Sequence, residues 1–351
     1  DKPNAAVFDF LDLFYIIDMG QWGNENAQPM GSGPFKLAEY IPGDRLKMVP
    51  NKDYWGKVPT AEIEIRIIPD PQALVLNLES GSVDAIMFFP TRDVKRLRDK
   101  GFEVFPANAN GVVFDMLLGQ NFEPFKNKKV KQAMNHLMNR NRFHHIIMTG
   151  QGEIRCLPWS KDHFAYEAKW EANCEFNPDK AKALLAETPY ANGFDLKLLT
   201  NSQQAPELAK LAEMFQADAK RVGVRVSLDT KDNAGYNAIY RSKAYEMATH
   251  NYGRGNKDPS SLFGTATVWK AKGNTQNYSN AEYQRLITEG AQTLDPAKRK
   301  TIYQKLNEFV ILDPITFAIH TNPRWFASSA KWSGFDASVD GFMYFQDIVK
   351  K

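Results

Sequence analysis

The alternation of apolar and polar positions divides the chain into short strand-like runs and longer helical stripes. Phe35 and Leu37 alternate, Pro42-Gly43-Asp44 makes a turn, and Leu46 and Met48 alternate on the return, which predicts a β-hairpin. Ile63, Ile65 and Ile67 alternate with Glu62, Glu64 and Arg66, the pattern of a half-buried strand. Pro71 opens a helix carrying Leu74 and Leu78, Val83 to Phe88 reads as a buried strand, Thr91 caps a basic helix, and Phe102 to Phe105 returns as a strand. Alternating strands and helices argue for an α/β layer. The opening run from Val7 to Asp18 is apolar without a clear period.

The second half repeats the alternation. A strand over Val112 to Leu118 precedes a helix on which Val130, Ala133, Met134, Leu137 and Met138 share a face. Asn177-Pro178-Asp179 supplies an N-cap, a first-turn proline and an acid for a helix through Leu185. Phe194, Leu196 and Leu198 alternate as a strand. Leu208, Leu211, Ala212, Phe215, Ala219 and Val222 form one stripe ended by Gly223, after which Val224, Val226 and Leu228 alternate again. Asp295-Pro296 opens a helix with Ile302, Leu306, Phe309 and Val310 inward. Pro314 ends it, and Ile315 to His320 reads as a strand. A further turn and strand fall around Phe335 to Val349. No repeat and no Gly/Ser tether separates these units, which fits two lobes joined by strands.

Composition narrows the class. A chain of 351 residues accommodates two domains, and 43% hydrophobic with 24% charged residues is the balance of a soluble globular protein. The net charge of +3 is dispersed, and the basic run Arg92 to Lys100 contains two Asp. It reads as a solvated helix face, so no nucleic-acid partner is expected. No apolar stretch is long enough to span a bilayer. No signal peptide is present, and the start Asp1-Lys2-Pro3 fits a mature protein or a piece of a longer one.

The residues assemble no catalytic motif. There is no phosphate-binding loop, dinucleotide fingerprint, Gly-x-Ser-x-Gly elbow or His-Glu-x-x-His. His144 and His145 are adjacent and do not share a helix face, so no metal site is expected there. His136, His163, His250 and His320 are scattered; His250 and His320 fall near strand ends, where a ligand contact competes with a structural role. Loop aromatics are more suggestive. Trp22, Tyr54, Trp55, Trp159, Tyr252, Trp269, Tyr278, Trp325 and Trp332 sit mostly beside Gly, Pro, Asn or Asp, and such side chains often line small-molecule clefts. Tyr252 and Trp269 are the better ligand candidates among them.

A series of short motifs carries a family resemblance. Gly31-Ser32-Gly33-Pro34-Phe35-Lys36-Leu37 is followed by Asn51-Lys52-Asp53-Tyr54-Trp55-Gly56, Ile67-Ile68-Pro69-Asp70 and Leu78-Glu79-Ser80-Gly81-Ser82-Val83-Asp84. Further on come Pro124-Phe125-Lys126-Asn127-Lys128-Lys129-Val130-Lys131-Gln132-Ala133, then Asn139-Arg140 in the usual acid-Arg slot. Asn177-Pro178-Asp179-Lys180-Ala181-Lys182-Ala183-Leu184-Leu185, Asp258-Pro259, Asn277-Tyr278-Ser279-Asn280 and Asp295 with Arg299 and Tyr303 complete the series. In number and order these resemble the family 5 extracellular solute-binding proteins, the dipeptide, oligopeptide and nickel type that feed ABC importers. The resemblance covers nearly the whole chain.

The resemblance implies an α/β, two-lobed periplasmic-binding-protein type II-like fold (cluster C), with hinged lobes, mixed sheets and an N-terminal subdomain missing. It implies lobe I over residues 1–111 and 319–351 and lobe II over 112–318, with crossing strands near Val112–Leu118 and Ile315–Ile319. Tyr54 and Trp55 would pack inside lobe I. The implied function is extracytoplasmic capture of a small polar ligand (a peptide, opine or oligosaccharide) between the lobes, and hinged delivery to ABC permease membrane subunits. The protein would be a monomer, periplasmic or extracellular and membrane-anchored, with no catalytic residue, cofactor or metal. A ligand-sensing receptor of the same fold and a two-domain α/β enzyme are the competing classes. Cys156 and Cys174 read by themselves as two free cysteines; an exported protein of this family favours a disulfide between them.

One departure bears on the ligand. Peptide-binding members carry, three residues before the acid-Pro pair, an Asp that anchors the peptide amino terminus; here that position is Gly255, preceded by Arg254. A guanidinium suits a carboxylate or phosphate, against the plain alternative of a solvent-facing loop Arg. The candidate ligand contacts are Tyr252, Gly253, Arg254 and Asp258, with Trp269, Asn277 and Tyr278, and with His320 and Asn322 just past the second crossing strand.

Overall fold

The computed structural model describes residues 3–5, 7–11, 31–107, 111–338 and 342–351. Trp22 and residues 12–18 of the opening apolar run lie outside them. The chain divides into two compact units: one of Asp1–Phe10 and Asn110–Pro323, the other of Leu11–Ala109 and Arg324–Lys351. The described part of the smaller unit contains the expected hairpin. Strands β1 (Phe35–Ile41) and β2 (Arg45–Pro50) pair antiparallel, and β3 (Ile63–Arg66) adds to β2. Gly43 turns the hairpin at φ 78°, a left-handed conformation that a side chain would disfavour.

Two expectations for this region are corrected. Ile65 and Ile67 are 40% and 51% exposed, so the apolar side of this strand is not half-buried as its alternation suggested. Trp55 is 84% exposed; its ring is tilted against Tyr54, at 5.1 Å between centroids, rather than packed inside the unit. Strands β4 (Ala85–Phe89) and β5 (Glu103–Pro106) follow, separated by helix Val94–Asp99 and preceded by helix Pro71–Ser80, which Asp70 caps. Thr91 opens a short 3-10 turn instead of capping a helix, and its hydroxyl accepts a hydrogen bond from Trp325 Nε1 at 3.1 Å. The basic helix is solvated as expected, with Arg96 and Lys100 paired to Glu79.

The larger unit is built on a mixed five-stranded sheet. Its strands are β6 (Val113–Leu118), β7 (Asp195–Thr200), β8 (Arg225–Thr230), β9 (Met247–Tyr252) and β10 (Thr316–Thr321), in the order β10-β6-β9-β7-β8. β6 is antiparallel to both β10 and β9, whereas β7 is parallel to β9 and β8. Every residue of β6 and β10 is buried, as expected for strands covered on both faces. Alternation along β6 sends Phe114, Met116 and Leu118 into one core with helices Lys128–His136, Pro178–Ala186 and Pro206–Ala219. It sends Val113 and Leu117 into a second core with helices Asn233–Ser242, Pro259–Thr265, Ala281–Gln292 and Pro296–Leu312. Asn177 and Asp295 cap their helices as the sequence indicated. Strand β11 (Trp325–Ser328) of the smaller unit then inserts between β4 and β5. There Trp325 and Ala327 join Val75, Leu78, Ile86 and Leu97.

Candidate functional site

Register brings three backbone ends together in the larger unit. Val113, the first residue of β6, pairs with Tyr252 at the end of β9 and with Thr321 at the end of β10. The loop after β9 therefore emerges beside the segment that leaves β10. Gly255 N–H donates to the Gly111 carbonyl at 2.9 Å, and Asn322 N–H donates to the Val112 carbonyl at 2.8 Å. Of the candidate contacts, Tyr252, Gly253, Arg254, His320 and Asn322 gather here.

Their exposures differ. Tyr252 is 3% exposed; its hydroxyl donates to the Pro158 carbonyl at 3.1 Å, and its ring meets Trp269 edge-on. Burial pushes the phenol far above the ordinary tyrosine range, so it stays protonated and acts as a donor. Gly253 is exposed, with open space where a side chain would be. Arg254 adopts φ 69°, and its Nη1 donates to the Asp9 carbonyl at 2.9 Å and to Ser261 Oγ at 3.3 Å. Gly255 is buried, and a Cβ there would meet the Pro158 carbonyl oxygen and Val113 Cγ2 at 3.0 Å, which restricts the position to a very small residue.

Asp258 and Trp269 are engaged inside the unit. Asp258 caps helix Pro259–Thr265 through the Ser260 N–H at 2.9 Å and accepts from Arg299 Nη2 at 2.5 Å. Trp269 is fully buried, packed edge-on to Phe263, and its carbonyl accepts the Tyr283 hydroxyl at 2.8 Å. Asn277 and Tyr278 lie at the opposite end of the sheet. Gln276 accepts the Gln120 N–H just beyond the end of β6, and the Tyr278 hydroxyl donates to Asp313 at 3.1 Å. The length of β6 places that end roughly 17 Å from Val113. The structure thus brings the 252–255 and 320–322 segments together and leaves Asn277 and Tyr278 apart from them.

His320 shows what lies beneath this end. Its Nδ1–H donates to the Thr321 carbonyl at 2.6 Å, which leaves Nε2 as an acceptor, and His144 Nδ1 lies 2.8 Å from that nitrogen. Burial drives the His320 imidazole down to about 4, so it is neutral at ordinary pH. Among the described residues no group of three His, Cys, Asp or Glu is placed to hold a metal ion.

Sequence reasoning missed the neighbouring segment. Residues 153–155 run along β10: Thr321 N–H donates to the Glu153 carbonyl, Ile154 bridges to His320, and Arg155 N–H donates to the Ile319 carbonyl. Arg155 is 2% exposed, and desolvation pulls its guanidinium below the ordinary range. The only available signal was a lone cation inside the apolar run Ile154-Arg155-Cys156-Leu157-Pro158-Trp159. Cys156 is disulfide-bonded to Cys174, with 5.7 Å between the Cα atoms.

The profile of the bacterial extracellular solute-binding proteins, family 5 (middle region), matches residues 2–274. The chain belongs to that family. It is 25% identical over 319 residues to heme-binding protein A of Haemophilus influenzae, covering 86% of this chain and 57% of that protein. It is 25% identical over 351 residues to the nickel-binding protein NikA of Staphylococcus aureus, covering 97% of this chain and 70% of that one. Among solved structures, the periplasmic binding protein DppA of Helicobacter pylori in complex with the peptide STSA superposes with a TM-score of 0.85 at 22% identity, covering 100% of this chain and 71% of that one. AgaA of A. tumefaciens R10 in complex with agropinic acid gives 0.85 at 23% identity, covering 100% and 74%. These likenesses establish the α/β periplasmic-binding-protein fold with mixed sheets. The chain spans little more than half the length of the Haemophilus relative.

Proposed function

We propose that this protein is an extracytoplasmic solute-binding protein that captures a small polar ligand and delivers it to the membrane subunits of an ABC importer. The observation that carries the reading is the family match across residues 2–274. The relatives named above bind heme and nickel, and one solved neighbour holds a peptide and another an opine acid. A peptide, an opine or an oligosaccharide is accordingly the class of cargo for this chain. The protein binds without catalysis, acts as a monomer, and resides in the periplasm or, membrane-anchored, outside the cell. Among the described residues no helix is long and apolar enough to cross a membrane.

Within this reading the ligand-facing positions of the larger unit are Gly253, Arg254 and Asn322, backed by the buried Tyr252 and His320. Asp258 and Trp269 act through the positions of their neighbours. The absence of an acid at Gly255 disfavours a free peptide amino terminus as the anchored group.

The test begins with protein purified under native conditions from its source cells. Heat-released small molecules are identified by mass spectrometry, and uptake of the identified compound is compared in cells with and without the gene. A stoichiometric compound whose uptake falls on deletion supports the proposal. Protein that carries no compound, or unchanged uptake, overturns it.

A further inference from the structure

Two arginines of the larger unit are almost equally buried and are used in opposite ways. Arg140, 4% exposed, spends its guanidinium on the protein: Nε donates to the Arg155 and Ala318 carbonyls at 3.0 Å, Nη1 to the Cys174 carbonyl at 3.2 Å, and Nη2 to Asn135 Oδ1 at 2.7 Å. Arg155, 2% exposed, spends none. Among the described residues its Nε, Nη1 and Nη2 have no hydrogen-bond partner. Its one ion pair there is with the Glu153 carboxylate, 3.2 Å from Nη2, on a side chain 47% exposed. A buried guanidinium with unmet N–H groups is costly, and a half-exposed carboxylate offsets little of that cost. The backbone nevertheless holds the residue firmly. Its N–H is bonded to Ile319, its carbonyl to Arg140, the next residue is disulfide-bonded, and Glu153 N–H donates to Thr321 Oγ1 at 2.8 Å. The segment lies against the end of β10 where the candidate contacts gather: Ile154 bridges to His320, and Thr321 N–H donates to the Glu153 carbonyl at 2.8 Å.

We propose that Arg155 is an oxyanion-binding residue of the solute site, its guanidinium receiving a carboxylate of the captured ligand in place of the Glu153 carboxylate. This rests on the solute-binding reading and names a chemical requirement of the cargo: an acidic group of carboxylate size. The planar guanidinium presents paired donors that match two oxygens of one anion. Glu153 keeps the charge balanced without ligand and is accessible enough to swing away when a second carboxylate arrives. A phosphate shares this chemistry but is larger and more highly charged than the carboxylate already accommodated.

The experiment follows the Arg155 Nε–H resonance of the full chain by proton–nitrogen NMR during titration with sodium acetate and, separately, inorganic phosphate, against sodium chloride at equal ionic strength. Arg155→Lys assigns the resonance by its loss. Glu153→Gln, a change on a half-exposed side chain, serves as the second variant and does not depend on Arg155→Lys folding. Acetate is expected to move the resonance saturably, with about three-fold tighter binding in Glu153→Gln, the size of a half-exposed ion pair. Saturation by phosphate alone overturns the carboxylate assignment. A resonance that follows only ionic strength in both wild type and Glu153→Gln overturns the proposal. A protein that carries a co-purified cargo while Arg155 ignores both anions loses this inference alone. Acetate binding in a protein whose deletion leaves uptake unchanged supports the anion site and counts against the transport reading.

Discussion

Asp258 Oδ1 lies 2.5 Å from Arg299 Nη2 and, at 2.9 Å, also accepts the N–H of Ser260. One oxygen thus ties helix Pro296–Leu312 to the first turn of helix Pro259–Thr265. Desolvation by itself would raise the Asp258 carboxyl, but hydrogen bonds from Arg299 and Ser260 outweigh it and hold the group below the usual carboxylate range. Asp258→Asn is expected to cost roughly 3 kcal/mol, since it leaves a largely buried guanidinium without its counter-charge. Urea denaturation of variant and wild type checks this. The folded pKa is depressed, so the pair's contribution is complete above the unfolded value of about 4 and fades as pH falls through the folded value. An unchanged midpoint at pH 7 would exclude the stabilising role.

His320 gives a second pH dependence with a different window. Burial, followed by the unfavourable charge of its neighbours His144 and Arg155, lowers it from 6.5 to about 4. Between those values the unfolded chain binds the proton and the folded one does not, so stability is complete above 6.5 and declines toward 4. The contribution is about 3 kcal/mol across that range. Melting temperatures measured from pH 7 to pH 4 are expected to fall less steeply in His320→Gln than in wild type. Parallel curves would refute this.

The disulfide between Cys156 and Cys174 closes a loop with a sequence separation of 18. Chain entropy assigns such a crosslink about 3 kcal/mol. Cys156→Ser with Cys174→Ser should lower the calorimetric melting temperature, and adding reductant to the double variant should change nothing further.

Tyr278 separates stability from binding. Its hydroxyl donates to Asp313, which also pairs with the buried Lys131. Tyr278→Phe is expected to lower stability by about 1 kcal/mol while leaving affinity for the co-purified compound unchanged in calorimetry. Arg254→Ala, at the other end of the sheet, is expected to weaken binding of an anionic compound about ten-fold, through loss of a charge-assisted contact. Equal effects of the two substitutions on affinity would contradict the placement of the site.

The strands and helices with strong periodicity were legible because burial leaves its period in the chain. The hairpin at Gly43, the stripe from Leu208 to Val222 and the caps Asn177 and Asp295 are local statements, each complete within a few residues. Ile65, Ile67 and Trp55 were misread for the same reason: their residue types call for burial, but whether a surface arrives to cover them is decided elsewhere in the chain. The candidate site was legible only in part. The neighbourhood of Tyr252, Arg254 and His320 follows from strand ends, whereas the separation of Asn277 and Tyr278 from that end depends on register across β6 and β9.

The sequence by itself determined the family, the α/β alternation and the loss of an acid at Gly255, since motifs and periods are properties of neighbouring residues. Tertiary structure alone decided which side chains are spent. Asp258 is taken up by Arg299, forty-one positions away in sequence. Arg140 is satisfied by carbonyls of four separate segments, and Arg155 is buried with its donors unspent. Whether a buried charge has found partners is a matter of three-dimensional proximity, and no pattern along one strand or helix encodes it.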